Sequence, residues 1–142
     1  MPLPLVLNAS AQGLDLSPRV VTSTTVAASP SAATETTICT ITLPTNVAVS
    51  AGILLFGWAA LTVGTSGTAV NARLRRTDTA GAVQAATGAT TGGIAAGNLI
   101  DINVQAFDTG PASGQVYVLT LTVTGGAAAS TVSACSILAL VV

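Results

Sequence analysis

Four arginines and five carboxylates are the only charged side chains in this 142-residue sequence, and they limit the chemistry that it can support. Three of the arginines, Arg73, Arg75 and Arg76, fall in one short stretch. Guanidinium groups suit the binding of carboxylates because each presents a planar fork of N–H donors. The cluster is therefore a candidate interface that clamps carboxylates of a neighbouring subunit. The alternative is a solvated strand edge paired with Asp78 or Asp101, which would add little stability.

The sequence offers little for acid–base or nucleophilic catalysis. It contains no histidine, so Ser/His/Asp and Cys/His arrangements cannot be built from it. It also lacks lysine. Catalytic sites usually contain titratable groups whose environments shift their pKa values apart, and this sequence has few such groups. Asp78, Asp101 and Asp108 match no calcium-loop spacing, and no glycine-rich stretch continues as a phosphate loop. We expect no enzyme, no metal and no cofactor.

The two cysteines, Cys39 and Cys135, lie far apart in the sequence and form no metal-ligand spacing. Cysteine often serves as a small buried apolar residue, and the sequence favours two buried thiols. If the strand around Cys39 pairs with the final strand, however, the two Cα atoms can come within about 7 Å and allow a disulfide. Both interpretations stay open.

The elements that must position these residues are β-strands. Apolar and polar residues alternate with a period of two in short runs separated by Gly, Ser, Pro and Asn. The runs are 20–26, 35–43, 53–63, 69–76, 99–106, 116–123 and 131–142. Residues 82–98 are predicted to be a long loop with one weak strand. The spacing is typical of an antiparallel β-sandwich, and we predict an all-β sandwich domain over residues 20–142.

The alternation also predicts which side chains face the core. In the run 69–76, Arg73 and Arg75 should point outward, because successive side chains of a strand lie on opposite faces. Trp58, the single tryptophan, lies in the most apolar run. Aromatic residues can anchor interfaces, but beside Phe56 and Leu61 we predict a core position for Trp58.

Residues 1–19 have a different composition. Prolines at positions 2, 4 and 18 prevent regular strand pairing, yet the segment is too apolar for a solvated tail. We predict an extended N-terminal arm that lies on an apolar surface such as a neighbouring subunit. It does not resemble a secretory signal. Its candidate interface residues are Leu3, Leu5, Val6 and Leu7.

Charge and hydropathy restrict the partners. The formal net charge is −1, and low net charge favours association between copies. Four arginines cannot form the broad basic surface that nucleic acid requires.

Residues 47–63 are uncharged and approach the roughly 20 residues of a spanning helix. They lack a flanking basic residue and are bounded by turn-like sequences, so we expect no membrane partner.

Two stretches carry a resemblance to a known family. Residues 47–77, VAVSAGILLFGWAALTVGTSGTAVNARLRRT, have the pattern of a long strand, a Gly/Ser turn and a strand ending in a basic cluster. Residues 99–142 follow with an Asp-bearing bend, the strand that contains Tyr117, the Gly125-Gly126 turn and a closing strand. This pattern resembles the tumour-necrosis-factor-like jelly-roll domains of bacteriophage virion proteins, including head decoration and fibre-tip modules.

The resemblance covers residues 20–142 and implies an antiparallel jelly-roll-like β-sandwich that forms a homotrimer. It also implies a capsid decoration or cement protein that stabilises a phage head. The N-terminal arm lies outside the resemblance, and we expect it to add contacts to those of the sandwich. The implied partners are the major capsid protein or another virion protein and copies of this chain, within a virion assembled in the host cytoplasm. Two alternatives stay open: an adhesive fibre-tip or carbohydrate-binding module, and a membrane-associated coat protein.

Overall fold

The computed structural model describes residues 20–24, 29–30, 34–45, 52–65, 69–89, 95–125 and 130–141. These residues contain eight β-strands. In chain order they are β1 (Val20–Thr24), β2 (Thr36–Thr42), β3 (Ile53–Thr62), β4 (Ala69–Arg76), β5 (Val83–Ala89), β6 (Leu99–Asp108), β7 (Val116–Thr124) and β8 (Thr131–Val141). The predicted weak strand within residues 82–98 is β5.

The strands form two four-stranded sheets with the orders β1-β8-β3-β6 and β2-β7-β4-β5. Every pairing in both sheets is antiparallel. Each connection crosses from one sheet to the other, except that β4 and β5 are neighbours in the same sheet. Eight strands arranged in this way form a jelly roll. The prediction of an all-β, antiparallel, jelly-roll-like sandwich is therefore confirmed.

The core lies between the two sheets and follows the period of two. On β4, Val70, Ala72 and Leu74 are buried, while Arg73 and Arg75 lie on the opposite face and are half-buried. On β6 the buried residues alternate with exposed ones in the same way. The inward and outward faces of these strands are as the sequence predicts, because the alternation is a property of the backbone itself.

The strand around Cys39 does not pair with the final strand, which was the condition for a disulfide. Strand β2 pairs with β7, and β8 lies between β1 and β3 in the other sheet. Cys39 and Cys135 therefore lie in opposite sheets, and both are buried thiols. The Cys135 thiol donates a hydrogen bond to the carbonyl oxygen of Ile38, with an Sγ–O distance of 3.1 Å.

Trp58 lies on the outer face of β3, half-buried, and the predicted core position is wrong. Gly57 takes the inward position beside it. A Cβ at Gly57 would lie 2.9 Å from Cγ1 of Val104 and 3.0 Å from Cδ1 of Leu119, so the core has no room for a larger side chain there. With Gly57 inward, the period of two places Phe56 and Trp58 outward.

Strand β3 also accounts for most of the apolar run 47–63. It pairs with β6 on one side and with β8 on the other. None of the described residues forms a helix that is long and apolar enough to cross a membrane. Residues 1–19, which include the predicted arm with Leu3, Leu5, Val6 and Leu7, lie outside the described residues, as do residues 46–51.

Candidate functional site

The arginine cluster lies on the β2-β7-β4-β5 sheet, and its first partner comes from a distant part of the chain. Arg73 and Arg75 are opposite Thr120 and Val118 of β7. Glu35 directly precedes β2, the strand on the other side of β7. Its side chain crosses β7 and meets both arginines on the outer face of the sheet. We call the group Glu35, Arg73, Arg75 and Thr120 the outer cluster.

The Glu35 carboxylate accepts four hydrogen bonds in the outer cluster. Nε of Arg75 donates to Oε1 over 2.6 Å and Nη2 to Oε2 over 2.8 Å. Nη1 of Arg73 donates to Oε2 over 3.0 Å, and the Thr120 hydroxyl donates to Oε1. A carboxylate offers about four lone-pair positions, so donors of the same chain occupy the hydrogen-bonding capacity of the Glu35 carboxylate. The bidentate contact with Arg75 is the strong, geometrically specific kind.

The outer cluster is held in its ionised form. The hydrogen bond from Arg75 is the largest influence on Glu35, and with the Thr120 bond and both arginine charges it lowers the carboxyl pKa against the opposing effect of burial. The hydrogen bond to Glu35 raises the pKa of Arg75. Arg75 also donates from Nη1 to the carbonyl oxygen of Gly81, over 2.8 Å. Arg75 is thus engaged inside the domain, and its carboxylate partner is Glu35 instead of Asp78 or Asp101, the partners named in the alternative interpretation; the charge of Asp78 only adds to the raised pKa of Arg75.

Asp78 and Asp101 have other positions. Asp78 lies in the turn between β4 and β5, where Oδ1 accepts hydrogen bonds from the backbone N–H groups of Ala80 and Gly81 at 2.8 and 3.0 Å. This is the local bonding that favours aspartate in turns. Asp101 is exposed on β6. Across the described ranges, His, Cys, Asp and Glu side chains form no group of three or more that could hold a metal ion.

Arg76, the third arginine, belongs to a separate group at one end of the sandwich. Its Nε donates to Oδ2 of Asp108 over 2.8 Å, and its Nη2 donates to Oδ1 of the same carboxylate. The Tyr117 hydroxyl donates to Oδ2 over 2.6 Å, and the N–H of Gly110 donates to Oδ1 over 3.1 Å. We call Arg76, Asp108 and Tyr117 the inter-sheet cluster, because Asp108 ends β6 while the other two lie on β4 and β7.

Asp108 is buried, with 2% of its surface exposed. Burial is the largest influence on its carboxyl pKa and raises it, but the hydrogen bonds from Arg76, Tyr117 and Gly110, together with the charge of Arg76, outweigh burial and leave the pKa lowered. Burial and the bond to Asp108 raise the pKa of Tyr117. The cluster therefore keeps a charged carboxylate and a neutral phenol near neutral pH, with no proton poised for transfer.

Sequence reasoning did not predict Glu35 or Asp108 as partners of the arginines. One signal was available for the inter-sheet cluster: Tyr117 falls on the inward face of its strand, and a buried tyrosine hydroxyl normally finds a hydrogen-bond partner. Glu35 gave no comparable signal, since its partners lie 38 and 40 residues away in sequence.

The opposite sheet presents an apolar surface. The outer side chains of its β8, β3 and β6 strands face away from the core, and large apolar ones lie next to one another at the end of these strands where β3 begins; we call this group the outer strip. Phe107 is half exposed, at 50%, and the others are half-buried. The members of the outer strip are Leu54, Phe56, Trp58, Phe107, Leu138 and Leu140.

Comparison with known proteins relates this jelly roll to viral capsid proteins. No family model and no curated protein matches the sequence. A mutant VP2 protein of infectious bursal disease virus, in derived T=1 particles, aligns with a TM-score of 0.58 and 13% identity over 87% of this chain and 32% of VP2. The likeness is one of fold.

Two further structures of the same virus agree with this result. The VP2 subviral particle gives a TM-score of 0.57 at 13% identity, covering 89% of this chain and 33% of VP2. The Gt strain gives 0.58 at 11% identity, covering 87% and 33%. This chain therefore spans about a third of the length of the viral chains it matches. These neighbours are components of virus particles, whereas the phage origin and the tumour-necrosis-factor-like subtype stay predictions.

Proposed function

We propose that this chain is a structural protein of a virion, and more narrowly a decoration or cement protein of a phage head. The observation that carries the proposal is the jelly-roll strand order, which aligns over most of this chain with one part of a viral capsid protein. Because one fold can serve many functions, the role also has to be argued from the groups on the surface.

Those groups suit a scaffold better than a catalyst. The carboxylates of Glu35 and Asp108 are both saturated by donors of the same chain. Each ion pair therefore positions strands, and neither carboxylate is left ready to attack or protonate a substrate. The proposed role is therefore non-catalytic, without a cofactor and without nucleic acid as a partner.

Association would depend mainly on apolar surface. The outer strip and the arm residues Leu3, Leu5, Val6 and Leu7 would pack against the major capsid protein or against other copies of the chain in a homotrimer. Such burial contributes about 25 cal/mol per Å², reduced by the cost of ordering the arm. Arg73, whose side chain is 33% exposed, would add a contact to a partner carboxylate. Arg75 and Arg76 would act indirectly, because their ion pairs with Glu35 and Asp108 hold the strands of the domain in place.

The test is whether the chain belongs to particles. An antibody against the purified chain would be used on density-purified virions from the source culture, with immunogold labelling and quantitative mass spectrometry. A constant copy number per particle and labelling on the head are expected. Labelling confined to the tail or fibre would overturn the decoration role, and absence from purified particles would overturn the virion role altogether.

A second test addresses the mechanism. Heads that lack the protein would be mixed with the full chain or with the Leu3→Ser/Leu5→Ser/Leu7→Ser variant, and bound protein would be measured by sedimentation. The triple variant is expected to bind at least tenfold more weakly. The matched control is Val83→Ser, which removes an apolar side chain that is 45% exposed on the other sheet. Equal binding of the triple variant and the wild type would remove the arm from the mechanism.

One observation favours a second function, an adhesive carbohydrate-binding module. Trp58 lies opposite Asn103 of β6, and Asp101, Asn103 and Gln105 are all exposed beside it. An aromatic face flanked by amide and carboxylate groups can stack on a sugar ring and bond its hydroxyls. A glycan array would separate the two functions. Glycan binding that Asn103→Ala abolishes would support adhesion, whereas absence of binding to every glycan on the array would contradict adhesion and favour the structural role.

A further inference from the structure

The side chains of the outer strip lie in rows across three strands, and the first row is at one end of these strands. Its first row joins Leu140, Leu54 and Phe107 across the three strands, and its second row joins Leu138 and Phe56. Trp58 lies in the third row, and the first charged residue, Asp101, follows in the fourth, opposite Ala60. Three successive rows of the β8-β3-β6 outer face therefore carry no charge.

The size of the strip limits what can cover it. Three strands spaced about 4.8 Å apart, over five residues at about 3.3 Å each, give a patch roughly 10 Å by 13 Å. A stable interface between two proteins needs about 800 Å² on each side. Two strips packed face to face would fall well short of that area, whereas a short extended segment would fit the patch.

The N-terminal sequence contains a segment of the right length and chemistry. Residues 3–7 are uncharged and almost wholly aliphatic. Five extended residues span about 13 Å from the first Cα to the last, which matches the strip's longer dimension. Leucines occupy positions 3, 5 and 7 of this apolar segment, so an extended backbone would present Leu3, Leu5 and Leu7 on one side.

The linker between that segment and the sandwich indicates which copy receives it. Residues 8–19 reach about 40 Å when extended. A compact domain of this length has a radius of gyration of about 14 Å and hence a diameter of roughly 37 Å. Val20, where β1 begins, pairs with Leu140, so the chain's own strip starts about one strand spacing, ~5 Å, away. The linker greatly exceeds that gap and matches the span to a neighbouring domain.

We propose that the outer strip binds residues 3–7 of a neighbouring copy of this chain, so that each copy donates one arm and receives one. The inference deepens the proposed function and rests on it only in requiring that copies associate. In a closed ring of copies these small contacts act together, because the arm that closes the ring binds within an already joined assembly.

The sole tryptophan reports on the strip directly. The full-length wild type and the full-length Leu3→Ser/Leu5→Ser/Leu7→Ser variant would be compared by Trp58 emission and light scattering over a dilution series. We expect wild-type emission at shorter wavelength when the protein is oligomeric, with a shift to the red as it dissociates. The triple variant should be monomeric and red-shifted throughout. Wild-type emission that stays blue-shifted in the monomer would mean that each arm covers its own strip, and would overturn the proposal.

A synthetic peptide of residues 1–12 tests the contact itself. Titrated into the triple variant, it should bind saturably and shift Trp58 emission to the blue. Phe107→Ser, added to the triple variant, should weaken the peptide by about tenfold, while Val83→Ser should leave it unchanged. Absence of a saturable shift, or equal weakening by both substitutions, would overturn the proposal. If the peptide binds but the protein is absent from purified virions, the contact between arm and strip would stand and only the proposed virion role would be overturned.

Discussion

The Tyr117 hydroxyl donates a 2.6 Å hydrogen bond to Oδ2 of Asp108, and this bond joins the two sheets of the sandwich. Tyr117 is on β7 of one sheet and Asp108 is the last residue of β6 in the other. Arg76 reaches the same carboxylate from β4. Asp108 is consequently the point where three strands from both sheets are held together, and its partners determine how the sheets are aligned at this end.

Replacing Tyr117 with phenylalanine should destabilise the fold while preserving most of the packing. The ring would stay in the core, but the buried Asp108 carboxylate would lose one of its donors. We expect the free energy of unfolding to fall by about 1.5–3 kcal/mol, the usual range for a hydrogen bond to a charged group. Urea denaturation followed by Trp58 fluorescence would measure it. Stability equal to that of the wild type would contradict the inter-sheet role of this bond.

Acid should destabilise the protein through both clusters. The carboxyl pKa values of Glu35 and Asp108 are lowered below their ordinary values of 4.5 and 3.8. A group with a depressed folded-state pKa binds its proton more readily in the unfolded chain, so its stabilisation is complete above the ordinary pKa and is lost as pH falls through the folded one. We expect a free energy of unfolding that is flat from about pH 7 to 5.5 and falls below about pH 4.5.

The histidine-free sequence makes this pH test sharp, because no imidazole titrates between pH 5 and 8. Urea unfolding at a series of pH values would provide the curve. A Glu35→Gln variant should lose less stability between pH 5 and pH 3 than the wild type does. An acid dependence that is identical in the two proteins would show that Glu35 does not contribute to it.

The Glu35→Gln substitution should also lower stability at neutral pH. It removes the negative charge that lies between Arg73 and Arg75, and a neutral amide cannot accept the bidentate pair of bonds in the same way. We expect a loss of about 1–3 kcal/mol in the free energy of unfolding. Asp101→Asn is the matched control, since Asp101 is an exposed carboxylate on β6 and should change stability by less than about 0.5 kcal/mol. Equal effects would contradict the outer cluster as a stabilising group.

Gly57→Ala should overpack the core. The added methyl would lie 2.9 Å from Val104 and 3.0 Å from Leu119, so β3 or the facing sheet would have to move. We expect a loss of about 1–3 kcal/mol, the usual cost of inserting a methyl group into a filled core. Gly110→Ala provides the control, because a Cβ there meets nothing within 4 Å. Thermal or urea unfolding of both variants would decide whether Gly57 is required for its small size.

Much of the strand content could be predicted from local sequence. The outward direction of Arg73 and Arg75 required only the period of two along one strand, as did the burial of Val70, Ala72 and Leu74. The same reasoning failed for Trp58, because which face of β3 turns inward depends on packing against the opposite sheet, where Leu119 and Leu74 lie close to Gly57. A local pattern of apolar residues on both faces cannot make that choice.

The sequence by itself determined the class of the fold, the short strands and the scarcity of groups for catalysis. Only the tertiary structure decided that β2 pairs with β7, and hence that Glu35 rather than Asp78 or Asp101 meets Arg73 and Arg75. It likewise placed Asp108 beside Arg76 and Tyr117 and left Phe56 and Trp58 on an outer face. The physical reason is that alternation is built into each strand, whereas partners come from strands far apart in the chain, whose order depends on packing of the whole core.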